Sequence, residues 1–247
     1  MDNITMKKEE IMYKLSYYGV AAFRIGLPDG RGILIDPYLD FGPVKADELP
    51  RVDFIALSHG ADDHIGRAFE VAKLQGSVIY APPGVVEFAM MNGIPKEKLL
   101  IMAQGAARDF DDITIKAVAA SHVSFIRVGD GRYITDCPLG YIITLPDGRK
   151  VYHTGDTAIF GDLKLVGELY HPDIVLLPIG KFKGAITEMN PEEAALAATW
   201  IGAGHIIPMH YDLEEQYDYP DRLIKALNGR GYNGKVSVMK PGDTIEL

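Results

Sequence analysis

The chain has 247 residues, 47% hydrophobic and 24% charged, a globular balance that excludes a disordered chain and supplies enough apolar residues for one sizeable core or two small ones. A net charge of -9 excludes a general electrostatic affinity for nucleic acid, whose phosphates are held mainly by Lys and Arg. The single cysteine, Cys137, excludes an internal disulfide, fits a reducing compartment and reads as an ordinary loop residue.

In chain order, the opening MDNITMKKEEIMYK lacks the apolar core and small-residue cleavage site of a secretory signal. No later apolar run approaches the roughly 20 residues that span a bilayer. The expectation is a cytoplasmic protein without membrane association, one domain over residues 1–247. KLSYYGVAAFRIGLPDGRGILIDPYLD reads as a hairpin, with Pro28-Asp29-Gly30 placed where a tight turn needs them. The apolar strand VDFIALSH follows, and after His64 the residues Ile65, Ala68, Phe69 and Ala72 recur at helical spacing, with Gly76 as terminator. Next come a strand, SVIYA, and a helix from Pro82 through GVVEFAMMNG.

A second hairpin, GYIITLPDGRKVYHTGD, repeats the pentapeptide LPDGR of 27–31 at 145–149, and each hairpin runs into an aspartate, Asp36 and Asp156. The repeat suggests two related β-rich halves. The strands DIVLLPIG and HIIPMH flank a helix, MNPEEAALAATWIGAG, where Asn190 suits the cap, Pro191 the first turn, and Glu192 and Glu193 the positive end of the dipole. A last helix lies in YPDRLIKALNGRG, with Pro220 and Asp221 at its start and Gly229 at its end. Strands this short and this apolar suit sheets covered on both faces, so a layered α/β fold is expected.

The ends of the apolar strands carry the chemistry. His59 follows FIALS, His122 follows ITIKAVAAS, Asp156 follows KVYHTG and His210 follows HIIPM. Sheet scaffolds assemble active sites in this way, from side chains delivered by different strand ends. Imidazole and carboxylate together suit a divalent transition metal, zinc first, with manganese and iron as alternatives; calcium or magnesium would want an all-oxygen cage.

SHGADDHIG, SHVSF, HTGDTAIFGDLKLVGELYHPDIVLLPIG, NPEEAALAA and IIPMHYD together resemble the metallo-β-lactamase superfamily, and within it the small metal-dependent hydrolases similar to ascorbate-phosphate lactonases. The resemblance spans nearly the whole chain and implies a four-layer αββα sandwich. Carried over by position, it implies a first metal site of His59, residue 61 and His122, and a second of Asp63, His64 and His210, with Asp156 bridging. The family's motif has a histidine where this chain has Ala61, which offers no donor. One metal per chain, or two with the first weakly held, is therefore expected.

Catalysis would rest on Asp63, His64 and Asp156, with metal-bound hydroxide attacking a small, anionic ester, lactone or phosphodiester. Asp62 is read as a helix cap rather than a substitute ligand, and His153 as a group supporting the HTGD turn. Lys181 and Lys183, in the loop KFKGAITEMNPEE, and Tyr211, beside His210, are candidates for substrate contact, each set against an ordinary structural role. His171 reads as a surface residue, and His205 as one that satisfies a backbone group. Two other readings stay open: a catalytically weakened metal-binding module of the same fold, which Ala61 favours, and a nuclease, which the acidic charge disfavours. The expected partner is a small-molecule substrate, with neither nucleic acid nor membrane; surface helices leave room for a homo-oligomer.

Overall fold

The computed structural model describes residues 12–182, 184 and 186–247. The first half of the chain lays down β1 (Lys14–Gly19), β2 (Ala22–Gly26), β3 (Gly32–Ile35), β4 (Phe54–Ala56), β5 (Val78–Ala81) and β6 (Leu99–Ile101). The second half supplies β7 (Ala107–Phe110), β8 (Ile113–Ala119), the small hairpin β9 (Phe125–Arg127) and β10 (Tyr133–Thr135), then β11 (Leu139–Thr144), β12 (Lys150–His153), β13 (Ile174–Pro178), β14 (His205–Met209) and β15 (Lys235–Val236). A final strand, β16 (Thr244–Glu246), returns to the first sheet beside β1.

Among the described residues the sheets run β16-β1-β2-β3-β4-β5-β6 and β15-β14-β13-β12-β11-β8-β7. The two halves repeat one pattern. β2 and β3 pair antiparallel, and β3 pairs parallel with β4; β11 and β12 pair antiparallel, and β12 pairs parallel with β13. The two LPDGR turns also match. Gly30 and Gly148 donate to the carbonyls of Leu27 and Leu145, and Asp29 and Asp147 each accept from the arginine amide two residues on.

One apolar cluster, including Phe23, Ile33, Phe54, Ile115, Tyr141 and Leu176, is contributed by both sheets and forms the core between them. The outer faces are covered by helices. On the first sheet lie α1 (Asp62–Ile65), α2 (Ala68–Gln75) and α3 (Pro83–Met91); on the second lie α4 (Leu163–Tyr170), α5 (Pro191–Ile201) and α6 (Tyr219–Gly229). This is the expected αββα sandwich. β4 and β13 are buried throughout, as their unbroken apolar runs require. Among the described residues no helix is long and apolar enough to cross a membrane.

The helix starts follow local chemistry. The Asn190 side chain accepts from the amides of Glu192 and Glu193 at 3.0 Å each, and Glu193 returns a bond to the Asn190 amide, a reciprocal cap worth about 1 kcal/mol. The helix expected after His64 is instead two short helices. Gly66, at φ +43°, breaks it, and a β-carbon there would lie 2.3 Å from the Pro37 carbonyl oxygen. α4 lies between β12 and β13, where the sequence pattern suggested no helix.

Candidate metal centre

Several of the strand ends that aim the site hold unusual backbone. Asp36, just after β3, and His210, just after β14, have φ of 43° and 54°, a region that costs residues other than glycine about 1–3 kcal/mol. Both are pinned by backbone bonds: the Asp36 amide donates to Ala56 O at 3.1 Å and the His210 amide to Val20 O at 2.8 Å. Gly155 takes the same left-handed conformation in the turn before Asp156.

These turns bring four imidazoles around one carboxylate oxygen. Asp156 Oδ2 lies 3.1 Å from Nε2 of both His64 and His210, 3.8 Å from His122 Nε2 and 4.0 Å from His59 Nε2. Asp63 Oδ2 stands 3.7 Å from His210 Nε2, and Asp63, His64 and His210 form one group of donors. His59 groups with His64 and Asp156, and His122 with Asp156 and Glu188.

Asp36 supports the cluster from beneath. Its Oδ2 accepts from Ser58 Oγ at 2.7 Å and faces His64 Nδ1 at 2.8 Å, while Oδ1 accepts the Ser58 amide at 2.8 Å. Ser58 Oγ also meets His59 Nδ1 at 2.9 Å. The far nitrogens of His59 and His64 are thereby engaged, and their Nε2 atoms are left for the centre. His59, His64, Asp156 and His210 are all buried, yet Nε2 of each histidine and Asp156 Oδ1 find no hydrogen-bond partner among the described residues. Close approach without hydrogen-bond alignment is what donors sharing an ion show: ligands about 2.0–2.1 Å from one metal stand roughly 3.3 Å apart. The donor set therefore fits a divalent ion.

The charges are strongly coupled. Burial works against the His210 cation, but Asp156 outweighs it and holds the imidazole up to about 10. His64 is raised well above its ordinary value despite burial, by Asp156 and Asp36. His59 goes the other way, down to about 3, through burial and the neighbouring His64 charge. Burial would raise Asp63, yet His210 and His64 bring it down to about 2, and Asp156 is likewise held well below the usual carboxylate range by His210 and His64.

Ala61, Asp62, Asp63, His122, Asp156, Glu188 and His210 line a cavity of about 420 Å³, together with Tyr38, Val123, Phe125, Arg127 and Thr187. Residues 31–211, more than half of the chain, match the β-lactamase superfamily domain. The chain belongs to the metallo-β-lactamase superfamily. It is 36% identical over 237 residues to a UPF0173 metal-dependent hydrolase of Rubrobacter xylanophilus, covering 94% of this chain and 96% of that protein. A protein of the same description from Bacillus velezensis is 35% identical over 240 residues, covering 95% and 99%. Among solved structures, Igni18, described as a novel metallo hydrolase from the hyperthermophilic archaeon Ignicoccus hospitalis, superposes with a TM-score of 0.78 at 29% identity, covering 96% of this chain and 98% of that one.

Against the superfamily pattern, His59, Asp63, His64, His122, Asp156 and His210 converge, while Ala61 leaves one position without a side-chain donor. Asp62 is not the helix cap that the sequence suggests. Ala61 occupies that position without a side-chain bond, and Asp62 sits exposed in the first turn at the cavity wall. His153 stays out of the donor cluster. Its Nε2 donates to Ala21 O at 2.9 Å and its Nδ1 accepts the Gly155 amide at 3.1 Å, which fixes the turn that presents Asp156.

Lys181 is not brought to the cavity. Its Nζ pairs with Glu215 at 3.3 Å, because the chain after β13 turns toward the 212–216 loop, where Gln216 accepts the Lys181 amide. Lys183 lies outside the described residues. Tyr211 is buried in the apolar cluster beneath α5 and α6. His171 is exposed at the end of α4, and His205 bonds the Ser237 hydroxyl at 2.9 Å rather than a backbone group.

Sequence reasoning did not single out Ser58 or Arg127 as site residues, and Glu188 entered it only as part of the loop KFKGAITEMNPEE, expected to set substrate specificity. Arg127 and Glu188 reach the cavity from a β-strand and a loop whose local sequence carries no ligand spacing; the available signal was the donor missing at position 61.

Proposed function

We propose that the protein is a metal-dependent hydrolase acting on a small, anionic ester, lactone or phosphodiester. The observation that carries this reading is the convergence of four imidazoles on Asp156, three of them buried, with Nε2 of His59, His64 and His210 unpartnered among the described residues. A bound divalent ion, with zinc, manganese and iron as candidates, would supply Lewis acidity and a water acidic enough to attack near neutral pH.

Asp63, His64, His210 and Asp156 would hold one ion, and His59, His122 and Asp156 would contribute to a second. Asp63 faces the cavity with its pKa at about 2, so at neutral pH it is a carboxylate, able to ligate the ion and to orient an attacking water by accepting a hydrogen bond from it. His153 and Asp36 hold the turns that keep Asp156 and His64 in place. Arg127 gives the cavity wall a cation suited to an anionic substrate group, and Val123 and Phe125 give it an apolar face. Six carboxylate or imidazole donors gathered at one end of the sheets, four of them buried, make a purely structural module the weaker reading.

The test is a screen of lactones, phosphodiesters and carboxylate-bearing esters with metal-loaded protein, with Asp156→Ala alongside. Expected are turnover that a chelator removes and added metal restores, and loss of both metal and turnover in the variant. Full metal retention by Asp156→Ala would overturn the assignment of the centre.

A further inference from the structure

From the geometry at Ala61 we infer that Glu188 is a metal ligand, supplying in carboxylate form the donor that the first site lacks. The inference rests on the proposed metal centre and adds to it a ligand that the superfamily motif does not contain.

Ala61 and Glu188 line the same cavity as His122 and Asp156, although 127 positions separate them in the chain (188 − 61). Glu188 Oε1 stands 3.9 Å from His122 Nε2, and His122 stands 3.8 Å from Asp156 Oδ2, so these donors could meet at one ion. Glu188 is itself only 8% exposed. A buried carboxylate is costly unless its charge is met, and its hydrogen bonds among the described residues come from its own neighbour: Thr187 Oγ1 donates to Oε1 at 2.7 Å and the Thr187 amide to Oε2 at 3.1 Å. Those two bonds leave lone pairs on both oxygens for a cation.

A second observation points to a ligand at this end of the site. His59 Nε2 and Asp156 Oδ1, on residues 1% and 3% exposed, are unpartnered. Glu188 can be brought there because it sits two residues before Asn190, the cap that fixes the start of α5. The reciprocal bonds of that cap anchor the end of the loop and hold the carboxylate over the cavity.

The exchange also evens out the two half-sites. With Glu188, the first would have His59, His122 and a terminal carboxylate; the second has His64, His210 and the terminal carboxylate of Asp63; Asp156 is shared. Each then offers two imidazoles and one unshared carboxylate. The first site is accordingly a full binding site rather than a crippled one.

The test is metal stoichiometry, by mass spectrometry after equilibration with buffered free zinc and, separately, manganese. Four proteins are compared: wild type, Glu188→Ala, Glu188→Gln and the double variant Ala61→His/Glu188→Ala. Expected are two equivalents in the wild type, one in each single variant, and two again in the double variant, where an imidazole restores the donor at the motif position. Glu188→Gln keeps the size of the side chain and a bond to Thr187, so it carries the same reading should the alanine variant fail to fold. Two equivalents in Glu188→Gln, or one in both wild type and variants, would overturn the role of Glu188 while leaving the Asp63/His64/His210 site standing. No metal in the wild type would instead overturn the centre itself.

Discussion

Asp156 places one carboxylate oxygen within 4.0 Å of four imidazoles, and this arrangement dictates how protons and metal compete. Without an ion, Asp156 draws protons onto His64 and His210, His210 up to about 10, while burial keeps His59 neutral. At pH 7 both raised imidazoles therefore carry protons that an ion must displace. Because their pKa values lie above neutrality, competition weakens as the pH climbs, and metal affinity rises. With two protons expelled the slope is up to about 100-fold per pH unit between pH 6 and 8. Calorimetric titration in buffers of different ionisation enthalpy should record a release of about two protons per chain at pH 7 for the Asp63/His64/His210 site. A release near zero would mean that Asp156 does not hold these imidazoles in their protonated form. The Asp36–Ser58 pair completes the arrangement by occupying the His64 and His59 Nδ1 atoms, so Nε2 is the nitrogen that each ring presents to an ion.

Among the elements, the turn between β12 and Asp156 is a sensitive joint. Gly155 has φ +60°, and a β-carbon there would lie 2.6 Å from Leu139 O and 2.9 Å from Ser58 Cβ. Neither neighbour can retreat easily, since Leu139 begins β11 and Ser58 is bonded to Asp36. Gly155→Ala should cost about 2–4 kcal/mol, combining a left-handed backbone with overpacking, and should also lower metal retention by moving Asp156. Urea unfolding of the stripped protein at unchanged slope, with metal content read alongside, checks both. A loss below about 0.5 kcal/mol with metal intact would contradict it.

The same joint shows what the sequence discloses. Strands with continuous apolar runs announce themselves, and the polar residue at the end of each is legible as a donor, which is how His59, His122, Asp156 and His210 could be read. Glu188 and Arg127 were not legible as donors or cavity residues, because their distance from the centre depends on how a loop and a hairpin fold back over it. The Asp62 reading failed by one residue, since α1 is only one turn long and its cap position is Ala61, which stands where the superfamily motif has a histidine.

Across the whole molecule, the centre lies where two similar halves meet. His59, Asp63 and His64 come from the β4–α1 segment of the first half, and His122, Asp156 and His210 from strand ends of the second. Protein bonds already cross this seam: the Leu139 amide donates to Ser58 O at 2.9 Å, Tyr141 Oη to Leu57 O at 2.7 Å, His153 Nε2 to Ala21 O at 2.9 Å and the Gly60 amide to Ser124 Oγ at 3.0 Å. An ion held by donors from both halves would act as one more cross-link, present in the folded chain and absent from the unfolded one. Linkage then fixes its effect, about 4 kcal/mol when free metal exceeds the dissociation constant a thousandfold. For a domain of this size that corresponds to a rise in Tm of roughly 8–16 °C over the chelator-treated protein. Calorimetric scans at increasing free zinc should show Tm climbing with the logarithm of metal concentration, in a single transition, because the halves share one inter-sheet core. If one half melted at a metal-dependent temperature while the other kept a fixed Tm, the ion would be serving one sheet alone and the seam would not be the site.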